Sequence, residues 1–321
     1  MTTTIDEVDL AFTRKPGSGT RVEPTYSGAL SFARRRYTKS LADCELAVVG
    51  VPLDLATTAR PGARFGPRAI REASSMIVWD RVHGWEFDPF ESLAVIDYGD
   101  VLFDPGEPSS VTQKIIEQFS AIHTEGVKTL MLGGDHFSTF PVLQSLFATC
   151  KTPIILIHFD AHSDTWQEED ERLDHGTMFY HAAKLGLVDP TTSVQIGIRT
   201  YNADSHGFNI FTAEEVNEIG LEKLVSSVHD IVGTNPAYIT FDIDCLDPSM
   251  APGTGTPVIG GLSSMQAQQI LRGLRGVNLV GGDVVEVAPA YDSSQITALA
   301  AATVAMNLVG LFADAARISD R

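Results

Sequence analysis

Short apolar runs recur along the chain from residue 46 onward, and nearly all of them end in polar residues. They are LAVVGVPLD (46–54), LAVIDYGD (93–100), TLMLGGDH (129–136), PIILIHFDAHSD (153–164), SVQIGIR (193–199), AYITFDIDCLDP (237–248) and LVGGDVVEVAP (279–289). Their apolar parts are short and nearly unbroken, which predicts strands buried on both faces. Segments of helical period lie between them. VTQKIIEQFSAIHTEG (111–126) sets Val111, Ile115, Ile116, Phe119 and Ile122 on one face. TAEEVNEIGLEKLVSSVHDIVG (212–233) opens on Thr212 as a cap, with acids in its first turn, and stops at a glycine. SSMQAQQILRGLRG (263–276) and the alanine-rich C-terminal segment complete the set. Strands alternating with helices predict a three-layer α/β/α architecture with a mostly parallel central sheet. Residues 1–40 read as an irregular arm, with turn-rich KPGSGT and VEPTYSG and a basic RRR at 34–36; residues 41–321 read as one α/β domain.

In such sheets the ligand site lies beyond the carboxyl ends of the strands. The polar ends of these strands therefore converge on one rim. FDAHSD places Asp160, His162 and Asp164 at alternate positions, so a continuing strand would point all three to one side. FDIDCLD repeats the spacing with Asp242 and Asp244, and GGDH offers His136 after two glycines that permit a tight turn or a close backbone approach. Four carboxylates buried together cannot all stay ionised without partners, because desolvation and mutual repulsion raise their pKa values. Two divalent cations would remove the difficulty. Oxygen-rich sites with some imidazole and no thiolate favour a hard or borderline metal such as Mn2+ over a structural zinc. A metal pair can also supply a strong nucleophile at neutral pH. His158 lies deeper in its strand and reads as a structural hydrogen-bonding residue. Asp135 has the wrong parity relative to His136 and suits a role orienting the site, while Asp247, before Pro248, suits the turn.

Composition narrows the partners. The 321 residues include 41 acidic and 23 basic side chains, a formal net charge of −18, so no basic surplus exists to neutralise nucleic-acid phosphates. The acidity suits small cations. Cys44, Cys150 and Cys245 are widely spaced and form no CxxC pair, which fits free thiols in a reducing cytoplasm better than a disulfide framework. The N-terminus MTTTIDEVDL lacks the pattern of a signal peptide. ALAAATVAMNLVGLFA (298–313) is short for a membrane span, contains Thr303 and Asn307, and reads as a buried helix.

GGDH, FDAHSD and FDIDCLDP in this order resemble the ureohydrolase family of arginases and agmatinases. RPGARFGPRAIR (60–71), LDHGTMFY (173–180), VQIGIRT (194–200), APGTGTPVIGGL (251–262) and DVVEVAPAYD (283–292) extend the resemblance from about residue 46 to the C-terminus, nearest to bacterial agmatinases. The resemblance implies a catalytic domain holding two Mn2+ ions. His136, Asp160, Asp164 and Asp242 would hold one ion, and Asp160, His162, Asp242 and Asp244 the other, with Asp160 and Asp242 bridging. It further implies that His175 shuttles protons, that Glu286 binds the substrate guanidinium, and that Asp164 passes a proton to the leaving amine. Agmatine would give putrescine and urea, and a homo-oligomer, trimer or hexamer, would form.

The distal end of the substrate is less defined. The loop TWQEEDERLD (165–174) carries five acids, which read as a solvated face or as an attraction for a far ammonium. Another guanidino substrate, such as 4-guanidinobutanoate, is the alternative within the same chemistry. A metal-dependent deacetylase of related fold is disfavoured by the intact ligand set for two metals, and a non-catalytic metal-binding scaffold by the presence of all six ligands with His175 and Glu286.

Overall fold

Each of the seven apolar runs forms a strand, and two short strands join them. A computed structural model describes residues 10–13, 25–78, 82–104, 106–167 and 172–319. The strands are β1 (Arg36–Tyr37), β2 (Leu46–Gly50), β3 (Val95–Asp100), β4 (Lys128–Leu132), β5 (Ile155–Phe159), β6 (Val194–Ile198), β7 (Asn209–Thr212), β8 (Ala237–Asp242) and β9 (Leu279–Val285). They form one sheet in the order β1-β3-β2-β4-β9-β8-β5-β6-β7, and every neighbouring pair is parallel. All strand C-termini thus point to one edge.

Alternation along each strand feeds two cores. Leu46 and Val48 pack on one side of the sheet with Ile70, Leu224, Ile270 and Ala301, while Ala47 and Val49 pack on the other with Ile115, Phe119, Leu143 and Leu146. The first side is covered by α1 (Gly66–Ile77), and the second by α2 (Val111–Thr124) and α3 (Thr139–Cys150). Helices α4 (Leu221–Val232), α5 (Ser264–Gly273) and α6 (Ile296–Ser319) complete the first layer. Ser263 caps α5 with a reciprocal bond to Gln266, as Thr212 does with Glu215 for the short helix after β7. Among the described residues, Ile296–Ile318 is the one helix long and apolar enough to cross a membrane. It is a core helix instead: 78% of its most apolar stretch is buried in the domain, and Asn307 accepts the Trp85 indole N–H at 3.1 Å.

The RRR stretch is not a surface patch. Arg34 and Arg35 are each 1% exposed, and the Arg35 guanidinium lies 3.9 Å from the centre of the Phe90 ring. Asp97 on β3 ties this segment to α1: it accepts the Phe32 amide at 2.6 Å and the Arg71 guanidinium through both oxygens, at 2.8 and 3.0 Å.

Four adjacent strands, β4, β9, β8 and β5, carry the candidate residues. Their register aligns Leu132 with Val284, Val284 with Phe241, and Phe241 with Phe159. The stacked Phe159 and Phe241 rings, centroids 5.0 Å apart, form an apolar floor just below the rim. The next step along β5 and β8 brings Asp160 and Asp242 side by side. Neighbouring strands are about 4.8 Å apart, so these four ends span about 15 Å, the scale of one small-molecule site.

One buried polar cluster sits far from that rim. His123 on α2 is 5% exposed and hydrogen-bonds Ser145 Oγ at 2.8 Å and Thr129 Oγ1 at 3.0 Å. Burial lowers its pKa to about 4 from the usual 6.5. The unfolded chain therefore binds the proton first, and stability falls as pH drops from about 6.5 toward 4, by about 3 kcal/mol over the full range. His123→Gln keeps polar partners without titrating. Its denaturant-melt stability should decline less than wild type between pH 6.5 and 4.5, and parallel curves would refute the assignment.

Candidate metal centre and active site

FDAHSD does not continue as a strand. β5 ends at Phe159, and residues 160–164 leave the sheet as an irregular turn in which Asp164 takes a left-handed backbone, φ 52°. Asp160, His162 and Asp164 meet because the turn folds back, not because a strand alternates. Asp242 is the last residue of β8, and Asp244 follows on a 3-10 turn, Ile243–Cys245, that Asp242 caps: its Oδ1 accepts the Asp244 N–H at 2.8 Å. His136 opens a 3-10 turn after β4. Neither Gly133 nor Gly134 has a positive φ. Gly134 is needed for close approach: a Cβ there would run into the Leu53 backbone.

The six residues form two linked groups. His136 Nδ1 faces Asp164 Oδ2 at 2.9 Å, Asp160 Oδ2 at 3.1 Å and Asp242 Oδ2 at 3.3 Å. His162 Nδ1 faces Asp244 Oδ2 at 3.1 Å and Asp160 Oδ1 at 3.2 Å. Asp160 thus presents one oxygen to each group, the geometry of a bridging ligand. Asp242 reaches the His136 group through Oδ2, while its Oδ1 serves the turn. One ligand atom of His158 also lies within 4.8 Å of those of His136, Asp160 and Asp164. Both nitrogens of His158 are already engaged, however: Nε2 with Asp160 Oδ2 at 2.8 Å and Nδ1 with the Gln195 amide at 3.1 Å. His158 therefore orients Asp160 from below.

The electrostatics fit a divalent cation in each group. Burial, then the neighbouring carboxylates, pushes Asp242 well above the usual range; Asp164 and Asp244 also rise through burial and Asp160. Asp160 is pulled well below its usual range despite burial, by His158 first and then by hydrogen bonds from His136 and His162. Burial would lower His136, but three carboxylates raise it well above 6.5. These groups retain protons where cations would serve. His136 Nδ1 is a buried polar atom without a well-directed hydrogen bond, although three carboxylates surround it. An all-oxygen-and-imidazole donor set converging on two points, with no thiolate, suits hard or borderline divalent metals.

Two supports escaped the sequence reading. Thr240 Oγ1 donates to Asp283 Oδ1 at 2.7 Å and so accepts from His136 Nε2 at 2.8 Å. Asp283, fully buried, also accepts from Thr139, Tyr238 and the Phe241 amide. That chain leaves the Nδ1 lone pair of His136 facing the carboxylates. The available signal was an acid in the middle of an apolar strand run. The second support is Thr58, from the RPGARF loop: its amide donates to His175 Nε2 at 3.1 Å and its hydroxyl lies at 2.8 Å. Asp135 serves that loop too, accepting the Ala56 amide at 2.8 Å, and burial with nearby Glu286 raises its carboxyl to about 7.

His175 Nδ1 lies 3.0 Å from Glu286 Oε1, which also accepts the His136 amide at 2.8 Å. Burial lowers the affinity of His175 for a proton, but Glu286 more than offsets it and raises the pKa to about 9. The Thr58 amide opposes that rise, since it needs a lone pair on Nε2. Glu286 is 1% exposed, sits at φ 62°, and has no partner on Oε2. A cavity of about 210 Å³ opens beside the two groups, lined by His162, Asp164, Asp242, Thr58, His175 and Thr256, with Trp166, Arg172 and Asp174 farther along its wall. Glu286 is not among the residues lining it and sits beside His175, its Oε1 against Nδ1. Of the five acids in the 165–174 loop, only Asp174 falls within the described residues; it pairs with Arg172 at 2.7 Å and accepts the Gly176 amide at 2.9 Å. Asp247 holds a turn, accepting the amides of Ser249, Gly260 and Gly261.

A parallel α/β sheet with a two-part aspartate–histidine centre over its middle strands defines a metal-dependent hydrolase of the binuclear kind. Residues 44–310 match the model of the Arginase family, and the chain belongs to that family. It is 50% identical over 304 residues to the agmatinase of Chromobacterium violaceum, covering 94% of each chain. Among solved structures it superposes on a hypothetical agmatinase from Burkholderia thailandensis with TM-score 0.93 and 53% identity, covering 95% of this chain and 98% of that one. It also matches proclavaminate amidino hydrolase from Streptomyces clavuligerus, with TM-score 0.83, 35% identity, and coverage of 91% and 100%.

Because the metal-free centre holds protons on groups with raised pKa values, binding a divalent cation near pH 7.5 should release protons. Calorimetric titration of the chelated protein in two buffers of different ionisation enthalpy should show about one proton or more released per subunit. Identical heats in the two buffers would contradict a proton-holding centre. Asp160→Asn should weaken both binding events.

Proposed function

We propose that this chain hydrolyses agmatine to putrescine and urea with two Mn2+ ions. His136, Asp160, Asp164 and Asp242 would hold one ion, and Asp160, His162 and Asp244 the other, with Asp242 shared between them as the family resemblance implies. The observation that carries the reading is the convergence of both ligand groups, His175 and Asp164 on one small cavity, with a buried, half-free glutamate behind His175. The relatives named agmatinase support the substrate.

A guanidinium carbon is a poor electrophile because its charge is delocalised over three nitrogens. The bound ions supply charge to balance four carboxylates and a nucleophile at neutral pH, by lowering the pKa of water. The residues do the rest. Glu286 Oε2, free and desolvated, pairs with the guanidinium and fixes its approach. Asp164 lines the cavity, and burial raises its carboxyl, so it can take a proton from water and hand it to the leaving amine. His175 holds a proton at Nδ1 against Glu286 and exchanges another at Nε2, the nitrogen facing Thr58. Overall, agmatine and one water give urea and putrescine, with charge conserved.

Arg172 on the cavity wall favours a second reading, a guanidino acid such as 4-guanidinobutanoate, whose anionic tail it would attract; Asp174 beside it favours the ammonium tail of agmatine. The protein further reads as a soluble, cytoplasmic homo-oligomer, trimer or hexamer. The free Cys44, Cys150 and Cys245 and the buried Ile296–Ile318 helix support the first part, and the family resemblance supports the second.

Urea release from Mn2+-loaded protein should be fastest with agmatine, and slower with arginine and 4-guanidinobutanoate. No urea from any of these compounds would sink the reading; a preference for the acid would favour the second. Glu286→Gln should cost about 100-fold or more in kcat/KM, roughly 3 kcal/mol of transition-state stabilisation. Full activity in that variant would remove Glu286 from guanidinium binding.

A further inference from the structure

The residue just after β6, Arg199, has no part in the reaction scheme. Arg199 is half-buried and sends its side chain under the turn carrying Asp244. Nε donates to Val258 O at 3.1 Å; Nη1 donates to Gly197 O at 3.1 Å and Cys245 O at 3.3 Å; Nη2 donates to Asp244 O at 2.6 Å, Val258 O at 2.8 Å and Leu246 O at 3.4 Å. All of its nitrogens are spent on backbone carbonyls, and the described residues include no carboxylate in ion-pair contact with it. A planar fork with five N–H donors can satisfy carbonyls from three segments at once; an ammonium cannot.

The backbone of the same residue grips the other side of the same half-site. The Arg199 amide donates to Ala161 O at 3.0 Å, and the Thr200 hydroxyl donates to the same oxygen at 3.1 Å. Ala161 lies between Asp160 and His162, and its own amide donates to Asp244 Oδ1 at 3.1 Å. Val258 belongs to the loop of Thr256, whose hydroxyl donates to Asp244 Oδ2 at 3.2 Å. The packing is tight. A Cβ at Gly261 would lie 2.5 Å from Asp247 N and 2.7 Å from Arg199 Nη2. No such contact reaches the other half-site: His136 is held by Thr240 and Asp283, and the Asp164 carbonyl is held by the Phe179 amide.

We infer that Arg199 is a positioning residue for the His162 half-site, clamping the turns that carry His162 and Asp244 without touching ion or substrate, while the shared Asp160 is held separately by His158. The inference rests on the two-metal reading. The test begins with the chelated wild-type chain, titrated with Mn2+ alone and followed by the paramagnetic resonance of free and bound ion. Wild type should bind two equivalents; fewer would refute the two-metal reading itself and leave Arg199 no half-site to position. Arg199→Met should retain one equivalent with affinity within about threefold of wild type and weaken the other about tenfold or more, within the range for residues that orient metal ligands. Arg199→Lys keeps the charge and the stem, so it guards against misfolding; it should fall between, because three donors on one atom cannot replace the fork. Combining Arg199→Met with His162→Ala should add no further loss, whereas combining it with His136→Ala should remove the remaining binding. Equal weakening of both equivalents, no weakening of either, or additivity with His162→Ala would overturn the assignment.

Discussion

Four aspartates share one buried rim, and that electrostatic constraint organises the centre of the molecule. Placing Asp160, Asp164, Asp242 and Asp244 within contact of two imidazoles, each carboxylate 5% exposed or less, is costly unless cations are supplied. The parallel sheet makes the arrangement possible, because four neighbouring strands deliver their polar ends to one edge above a floor of Phe159 and Phe241. The constraint also explains why so many uncharged donors surround the rim. Gln195 holds His158, His158 holds Asp160, and Thr240 with Asp283 holds His136. Each bond fixes a ring or carboxylate in the orientation a cation requires.

The two halves of the centre are built differently. The His136 half is braced from inside the sheet: Thr240 lies on β8 and Asp283 on β9, both fully buried. The His162 half is braced by loops, through Ala161, the Asp244 turn and the Thr256 loop gathered around Arg199. Sites carried on strands are held more rigidly than sites on loops. Asp160 spans the two kinds of support, one oxygen toward each.

The two-sided burial of the strands, their parallel order and the gathering of aspartates and histidines at one rim were legible because each rests on a local signal. Continuous apolar runs imply burial on both faces, and aspartates at their ends imply a rim. The path of the chain after Phe159 was not legible. Alternation put Asp160, His162 and Asp164 on one side for the wrong reason, since nothing in FDAHSD marks the left-handed turn at Asp164. β1 and β7 were missed because two- and four-residue edge strands are too short for periodicity to register. The burial of Arg34 and Arg35 was not legible, because the Phe90 ring that covers Arg35 comes from a distant segment, and the Ala29 carbonyl meets Arg34 only once the local chain folds back. Thr58 and Arg199 are ordinary loop residues in sequence, and their roles depend wholly on tertiary contacts.

Backbone strain sits where the chemistry would be. Asp164 and Glu286 both take left-handed conformations that side chains with a Cβ disfavour, at a cost of about 1–3 kcal/mol each. Each is held there by an amide–carbonyl bond to another segment: Phe179 N–H to Asp164 O at 3.0 Å, and Glu286 N–H to Gly134 O at 2.9 Å. The second bond ends on Gly134, which lies against the Leu53 backbone where a Cβ would not fit. At Glu286 the turn brings Oε1 against both the His136 amide and His175, and leaves Oε2 buried without a partner. A carboxylate oxygen so desolvated and unpaired gains most from a cation that donates hydrogen bonds in a plane, which is what a guanidinium offers. The strained backbone and the free oxygen thus form one arrangement, in which the fold bears the cost of keeping a carboxylate oxygen unpaired beside the aspartate–histidine centre, where the proposed function would seat a guanidinium.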